Sequence, residues 1–162
     1  MERFGIVFAA RGAGTMPAVP KPRYRMNAVD HFNQDASHGL ARHLGIYALE
    51  LRAGYARMRM PLRTEVMAGN GYLHAGSVVS LADTCAGLGC MQSYPKGATN
   101  FTTVELKSNF MGTCREGEIE AVATMLHGGR TTQVWDCAVH DPQRERLIAQ
   151  FRCTQLLLYP RS

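Results

Sequence analysis

The order of hydrophobic periodicities predicts an α+β fold with an antiparallel sheet. Three observations carry it. One helix-period stretch, residues 76–93, is apolar almost all round. Two strand-like runs precede it and four follow it. Glycine and proline punctuate the runs, and successive strands with no helix between them pair antiparallel. The 162 residues, 46% of them hydrophobic, suit one domain that buries its own core. No apolar run approaches the roughly 20 residues of a membrane helix.

Taken in order, residues 4–10 (FGIVFAA) form one short apolar run, followed by Gly12, Gly14, Pro17, Pro20 and Pro22. Glu2 precedes Arg3, and basic residues follow the run, so no export signal is read here. Residues 1–27 are expected to be a flexible extension, with 28–162 the single domain. Met16 and Met26 are alternative starts. Asn27 is placed to cap a helix over 28–43, with Phe32, Ala36 and Leu40 facing inward and a break near Ser37–Gly39. Strands are expected over 45–52 and 55–62, joined by a turn at Gly54. In the second, Ala56, Met58 and Met60 alternate with Arg57 and Arg59. The helix over 76–93 carries Ala82, Ala86, Gly87 and Gly89; residues that small let a sheet wrap closely around it. Strands over 100–111, 117–127, 130–140 and 146–158 complete the chain.

Charge and cysteine usage narrow the function. The net charge of +5 sits mostly in residues 1–25, which hold five of the 18 Lys and Arg and one of the 13 Asp and Glu. The remainder is nearly neutral, which argues against nucleic-acid binding. Cys85, Cys90, Cys114, Cys137 and Cys153 are odd in number and form no C-x-x-C pair. They read as reduced, buried thiols of a cytoplasmic protein. With His74 they match no zinc spacing, and no metal site is expected. There is no G-x-S-x-G elbow, P-loop or H-E-x-x-H.

Asp83 stands out inside the apolar helix, with no Lys or Arg nearby in sequence. Ser80, Gly87 and Cys90 share its face at i−3, i+4 and i+7. Such a carboxylate either faces a pocket, where burial raises its pKa and suits it to act as a base, or is paired by backbone donors. His74 lies just ahead of the helix in N-G-Y-L-H-A-G (70–76). The N–H groups of Ala75 and Gly76 are expected among the unsatisfied donors of the helix start, where they can hold an oxyanion. His74 itself is either a cap or a site residue.

These residues resemble a family. L-H-A-G followed by S-V-V-S-L-A-D is similar to the L-H-G-G…D signature of hotdog-fold thioesterases of the phenylacetate-degradation (PaaI-like) type. T-T-V-E-L-K-S-N-F-M (102–111), H-G-G-R-T-T-Q-V-W-D (127–136) and L-I-A-Q-F-R-C-T (147–154) follow in the family's order. The resemblance covers roughly 28–158 and implies a long central helix wrapped by a curved antiparallel sheet of about six strands. It implies a homodimer or homotetramer with the site between subunits, hydrolysing acyl-CoA without metal or redox cofactor. By position, Asp83 is then general base or nucleophile, and the Ala75 N–H polarises the thioester carbonyl, with Gly76 beside it. His74 orients the thioester. Thr103, from the partner subunit, holds the attacking water. Asn70, Arg130 and Thr131 contact the substrate, the last two at the CoA entrance.

Two positions depart from the pattern. H-A-G replaces H-G-G, and Ala68 stands where relatives carry an asparagine six residues before the histidine, leaving Asn70 as the nearest amide. These departures keep a non-catalytic acyl-CoA-binding protein as an alternative. A 3-hydroxyacyl thioester dehydratase is the third, with less support around Asp83.

Overall fold

Asn27 does cap a helix, its Oδ1 accepting the Asp30 N–H at 2.9 Å. A computed structural model describes residues 27–35 and 39–160. The expected extension over 1–27, apart from Asn27, and residues 36–38 lie outside the described residues; Gly39, at the end of the break expected near Ser37–Gly39, is described. In place of one helix over 28–43 there are two, α1 (Ala28–Asp35) and α2 (Gly39–His43). Gly39 has φ +85°, which no continuous α-helix contains. Phe32 packs on the core as expected, but Leu40 is 60% exposed, because α2 does not continue the face of α1.

The strands are β1 (Tyr47–Arg52), β2 (Tyr55–Pro61), β3 (Asn100–Phe110), β4 (Glu118–Gly128), β5 (Thr132–Asp141) and β6 (Arg146–Leu158). They form one curved antiparallel sheet in the order β1-β2-β4-β5-β6-β3. The long helix α3 (Ala75–Met91) lies against it and touches all six strands. This is the architecture the resemblance implies. Gly54, with φ +75°, makes the β1–β2 turn. Ala56, Met58 and Met60 alternate into the core, fully buried.

Small residues on α3 set how close the sheet comes. A Cβ on Gly89 would lie 2.6 Å from the Trp135 ring, and one on Gly87 2.9 Å from Phe101. Both aromatic rings therefore rest on helix backbone. Cys85, Ala86 and Ala82 fill the rest of that contact. The helix is less fully wrapped than its composition suggests: Val79, Asp83, Thr84 and Leu88 are only half-buried, and Met91 is exposed.

Four register shifts bend the strands among the described residues. One of them leaves Val104 unpaired, because Thr103 pairs with Gln155 and Glu105 with Thr154. Another puts Ile148 and Ala149 both in the core, where β6 slips against β5. The two sheet edges differ. On β1, six residues long, Asn33 of α1 clamps Ala48 through both its N–H (2.7 Å) and its carbonyl (2.9 Å). On β3, eleven residues long, Val104 (56%) and Phe110 (47%) stand exposed, and no strand pairs with it on the outer side among the described residues. Among those residues, no helix is long and apolar enough to cross a membrane.

Candidate active site

The start of α3 is fixed by the strand-like segment before it. Val66 carbonyl accepts the His74 N–H at 3.1 Å and the Ser77 hydroxyl at 3.0 Å, while Met67 and Leu73 form a bridge. His74 is the N-cap, in extended conformation (φ −69°, ψ 130°). Its Nδ1 accepts the Gly76 N–H at 2.9 Å, and its carbonyl accepts from Ser77. The ring's proton therefore sits on Nε2, leaving an exposed donor. This corrects the expectation for Gly76: its N–H is already bonded to His74 and is no free oxyanion donor. The Ala75 N–H finds no acceptor among the described residues. One backbone donor thus remains open at the positive end of a 17-residue helix. An open cleft of about 340 Å³ lies there, lined by Leu40, Leu44, Met67, His74 and Ser80 among others.

Asp83 sits two turns further along, half-buried. Burial raises its carboxyl above the usual carboxylate range, and a hydrogen bond from Thr103 partly offsets that. Thr103 Oγ1 lies 3.2 Å from Asp83 Oδ1 and 3.0 Å from Gln155 Oε1. Thr103 was expected to meet the site from a partner subunit. Instead it bonds Asp83 of its own chain, because β3 lies against the same stretch of α3. Ser80 and Thr84 direct their hydroxyls to the helix carbonyls of Gly76 and Ser80, so Asp83 gains nothing from them.

Eight residues separate Ala75 from Asp83, a rise of about 12 Å along the helix. That exceeds the reach of one carbonyl polarised by the first and attacked by a water on the second. Arg130 and Thr131 lie at the other end of α3, where Gln133 of the same hairpin donates to the Ser93 carbonyl at 2.8 Å. The Tyr159 hydroxyl donates to the Arg130 carbonyl. Asn70 commits its Oδ1 to the Tyr72 N–H at 3.2 Å, shaping its own loop. The structure thus joins Asp83 to Thr103 and His74 to Gly76 and Ala75, but keeps these two groups, Asn70 and the Arg130 hairpin apart.

Gln155 was missed. It is fully buried beside Thr103 and directs its Nε2 at Cys153 Sγ, 3.3 Å away. The signal was available: Phe151, Cys153, Gln155 and Leu157 share one phase of β6, so a glutamine occupies an inward position.

Comparison with known proteins agrees with the fold. The Thioesterase superfamily matches residues 70–148. The Bacillus subtilis protein ComA2 is 35% identical over 74% of this chain and 94% of its own length. A 1,4-dihydroxy-2-naphthoyl-CoA hydrolase from Listeria monocytogenes is 31% identical over 72% of this chain and 93% of its own. Among solved structures, a thioesterase from Haemophilus influenzae superposes with a TM-score of 0.76 at 26% identity, over 83% of this chain and 93% of that one. The Escherichia coli PaaI protein superposes with a TM-score of 0.69 at 24% identity, over 78% and 91%, a likeness of fold.

Proposed function

This chain belongs to the thioesterase superfamily, as a hotdog protein of the PaaI-like kind, and on that premise we propose that it hydrolyses an acyl-CoA to free acid and CoA, with Asp83 supplying the base or nucleophile. Two features carry the proposal: a half-buried carboxylate of raised pKa on α3 and an open N–H at the helix start, which two copies of the chain would bring to one carbonyl. Attack on a thioester moves negative charge onto the carbonyl oxygen. The Ala75 N–H and the helix dipole stabilise that charge, and Asp83 takes the proton of the attacking water or attacks directly. Thr103 orients the Asp83 carboxylate. The exposed His74 Nε2–H orients the thioester. The mechanism needs no metal or redox group.

The roughly 12 Å between these two groups supports a site shared by two copies, Asp83 of one facing the helix start of the other. The bare β3 edge supports the same reading, since a long unprotected edge favours pairing with another strand. The Arg130 hairpin, at the far end of α3, is then free to meet the CoA portion.

The test is thiol release from a panel of aromatic and aliphatic acyl-CoAs, by wild type beside Asp83→Ala, with the oligomer size measured by sedimentation. Turnover lost in the variant and a dimer or larger assembly are expected. Binding of the CoA ester without thiol release would make the chain a non-catalytic binder. A monomer at micromolar concentration would remove the shared site.

A further inference from the structure

We propose that Gln155 is a positioning residue for Asp83: acting through Thr103, it decides which neighbour receives the hydroxyl proton and thereby keeps Asp83 poised between its charged and neutral forms. This rests on the reading of Asp83 as the base. The geometry leads there directly. Thr103 has one hydroxyl proton and two oxygen neighbours, Asp83 Oδ1 at 3.2 Å and Gln155 Oε1 at 3.0 Å. It donates to one of them at a time. Gln155 sits directly opposite Thr103 in the β3–β6 register, has no exposed surface, and ends on Cys153 Sγ at 3.3 Å. The four groups form one chain.

That chain is satisfied in two directions. With Asp83 protonated, its O–H donates to Thr103, Thr103 donates to Gln155 Oε1, and Gln155 Nε2 donates to Cys153. With Asp83 ionised, Thr103 donates to the carboxylate. The Gln155 amide then turns to donate to Thr103 and accepts from the Cys153 thiol. Ionisation of Asp83 releases one proton to solvent or substrate, and the remaining hydrogen bonds of the chain reverse direction. Besides Asp83, the titratable groups in or beside this chain are Cys153 on β6, its last member, and Cys90 on α3. Burial pushes both thiols to about 12, so they stay neutral. Glu105 on β3 is the remaining charge nearby, exposed and accepting from the Thr154 hydroxyl at 3.3 Å. Apart from burial and the Thr103 bond, no described side chain of its own chain shifts Asp83.

Gln155→Leu keeps the size and removes the acceptor that the neutral form of Asp83 needs. The acid limb of kcat/KM should then fall by about one pH unit, the scale of one hydrogen bond. Thr103→Val should move the limb upward, and adding Gln155→Leu to Thr103→Val should move it no further. A glutamine that only filled space would change Tm and leave the limb in place. The carboxyl ¹³C titration of Asp83 reads the same shift without turnover. An inactive wild type would thus refute the thioesterase mechanism while still testing this link. Should the leucine variant fail to fold, Gln155→Met carries the same comparison. An unmoved Asp83 titration in a folded Gln155 variant overturns the proposal.

Discussion

In the proposed mechanism the first and third turns of α3 solve one electrostatic problem by opposite means. At the first turn the working group is backbone: the Ala75 N–H, left open because His74 takes the next donor. It is indifferent to its own side chain, so alanine replaces glycine in H-A-G without loss of the donor. At the third turn the working group is a single side chain, Asp83, whose character comes from burial and from Thr103. On that proposal, charge stabilisation is inherited from the helix, whereas basicity is built by the surroundings. Mutation should therefore damage the two turns differently.

Asp83→Asn should show the largest effect. It keeps the shape and removes the base, and turnover should fall by about 10³-fold, within the range of general-base catalysis, while CoA-ester binding stays. Steady-state kinetics with a binding titration check this. Ala75→Pro comes next. Proline suits the first helical position, and the extended backbone of His74 is what a residue before proline requires. The variant deletes one N–H and leaves the helix standing. A loss of about 10²-fold in kcat with Tm unchanged is expected for an oxyanion donor. Unchanged kcat would show that the first turn does not touch the carbonyl. His74→Ala should cost about tenfold in kcat/KM together with about 1 kcal/mol of stability, as the Gly76 N–H loses its cap; thermal unfolding separates the two losses.

The smallest effect lies in stability. The folded pKa of Asp83 is raised, so its ionisation opposes folding. Its contribution is full below the unfolded value near 4 and is lost as pH rises through the folded value. Asp83→Asn should therefore melt above wild type at pH 7, with the gap closing toward pH 4. The acid limb of wild-type activity should correspondingly lie above the ordinary carboxylate range.

Much of the fold was legible in sequence because it rests on local period. Ala56, Met58 and Met60 announce β2, and the glycines of α3 announce an approach that Trp135 and Phe101 complete. Asp83 and His74 were legible for a similar reason, one being polar in an apolar helix and the other placed at a cap. What stayed hidden depends on long-range register. The bond from Thr103 to Gln155 joins residues 52 apart and follows from a pairing that shifts at Val104. Nothing in T-T-V-E-L marks that bulge. The loss of the Gly76 N–H to His74 depends on a rotamer. The separation of α1 from α2, by contrast, falls where Gly39 led the sequence to expect a break, and Gly39 there has a positive φ.

All five thiols of the chain are free and buried. A disulfide reagent added to the native protein therefore meets the CoA thiol long before it meets the protein's own, and the hydrolysis signal carries little background. The delay has a second use. Each cysteine becomes reactive only when the packing around it opens, and the five are spread over α3, β5, β6 and the segment before β4. Their separate labelling rates, resolved by mass, would give an opening free energy for each part of the core in the working enzyme.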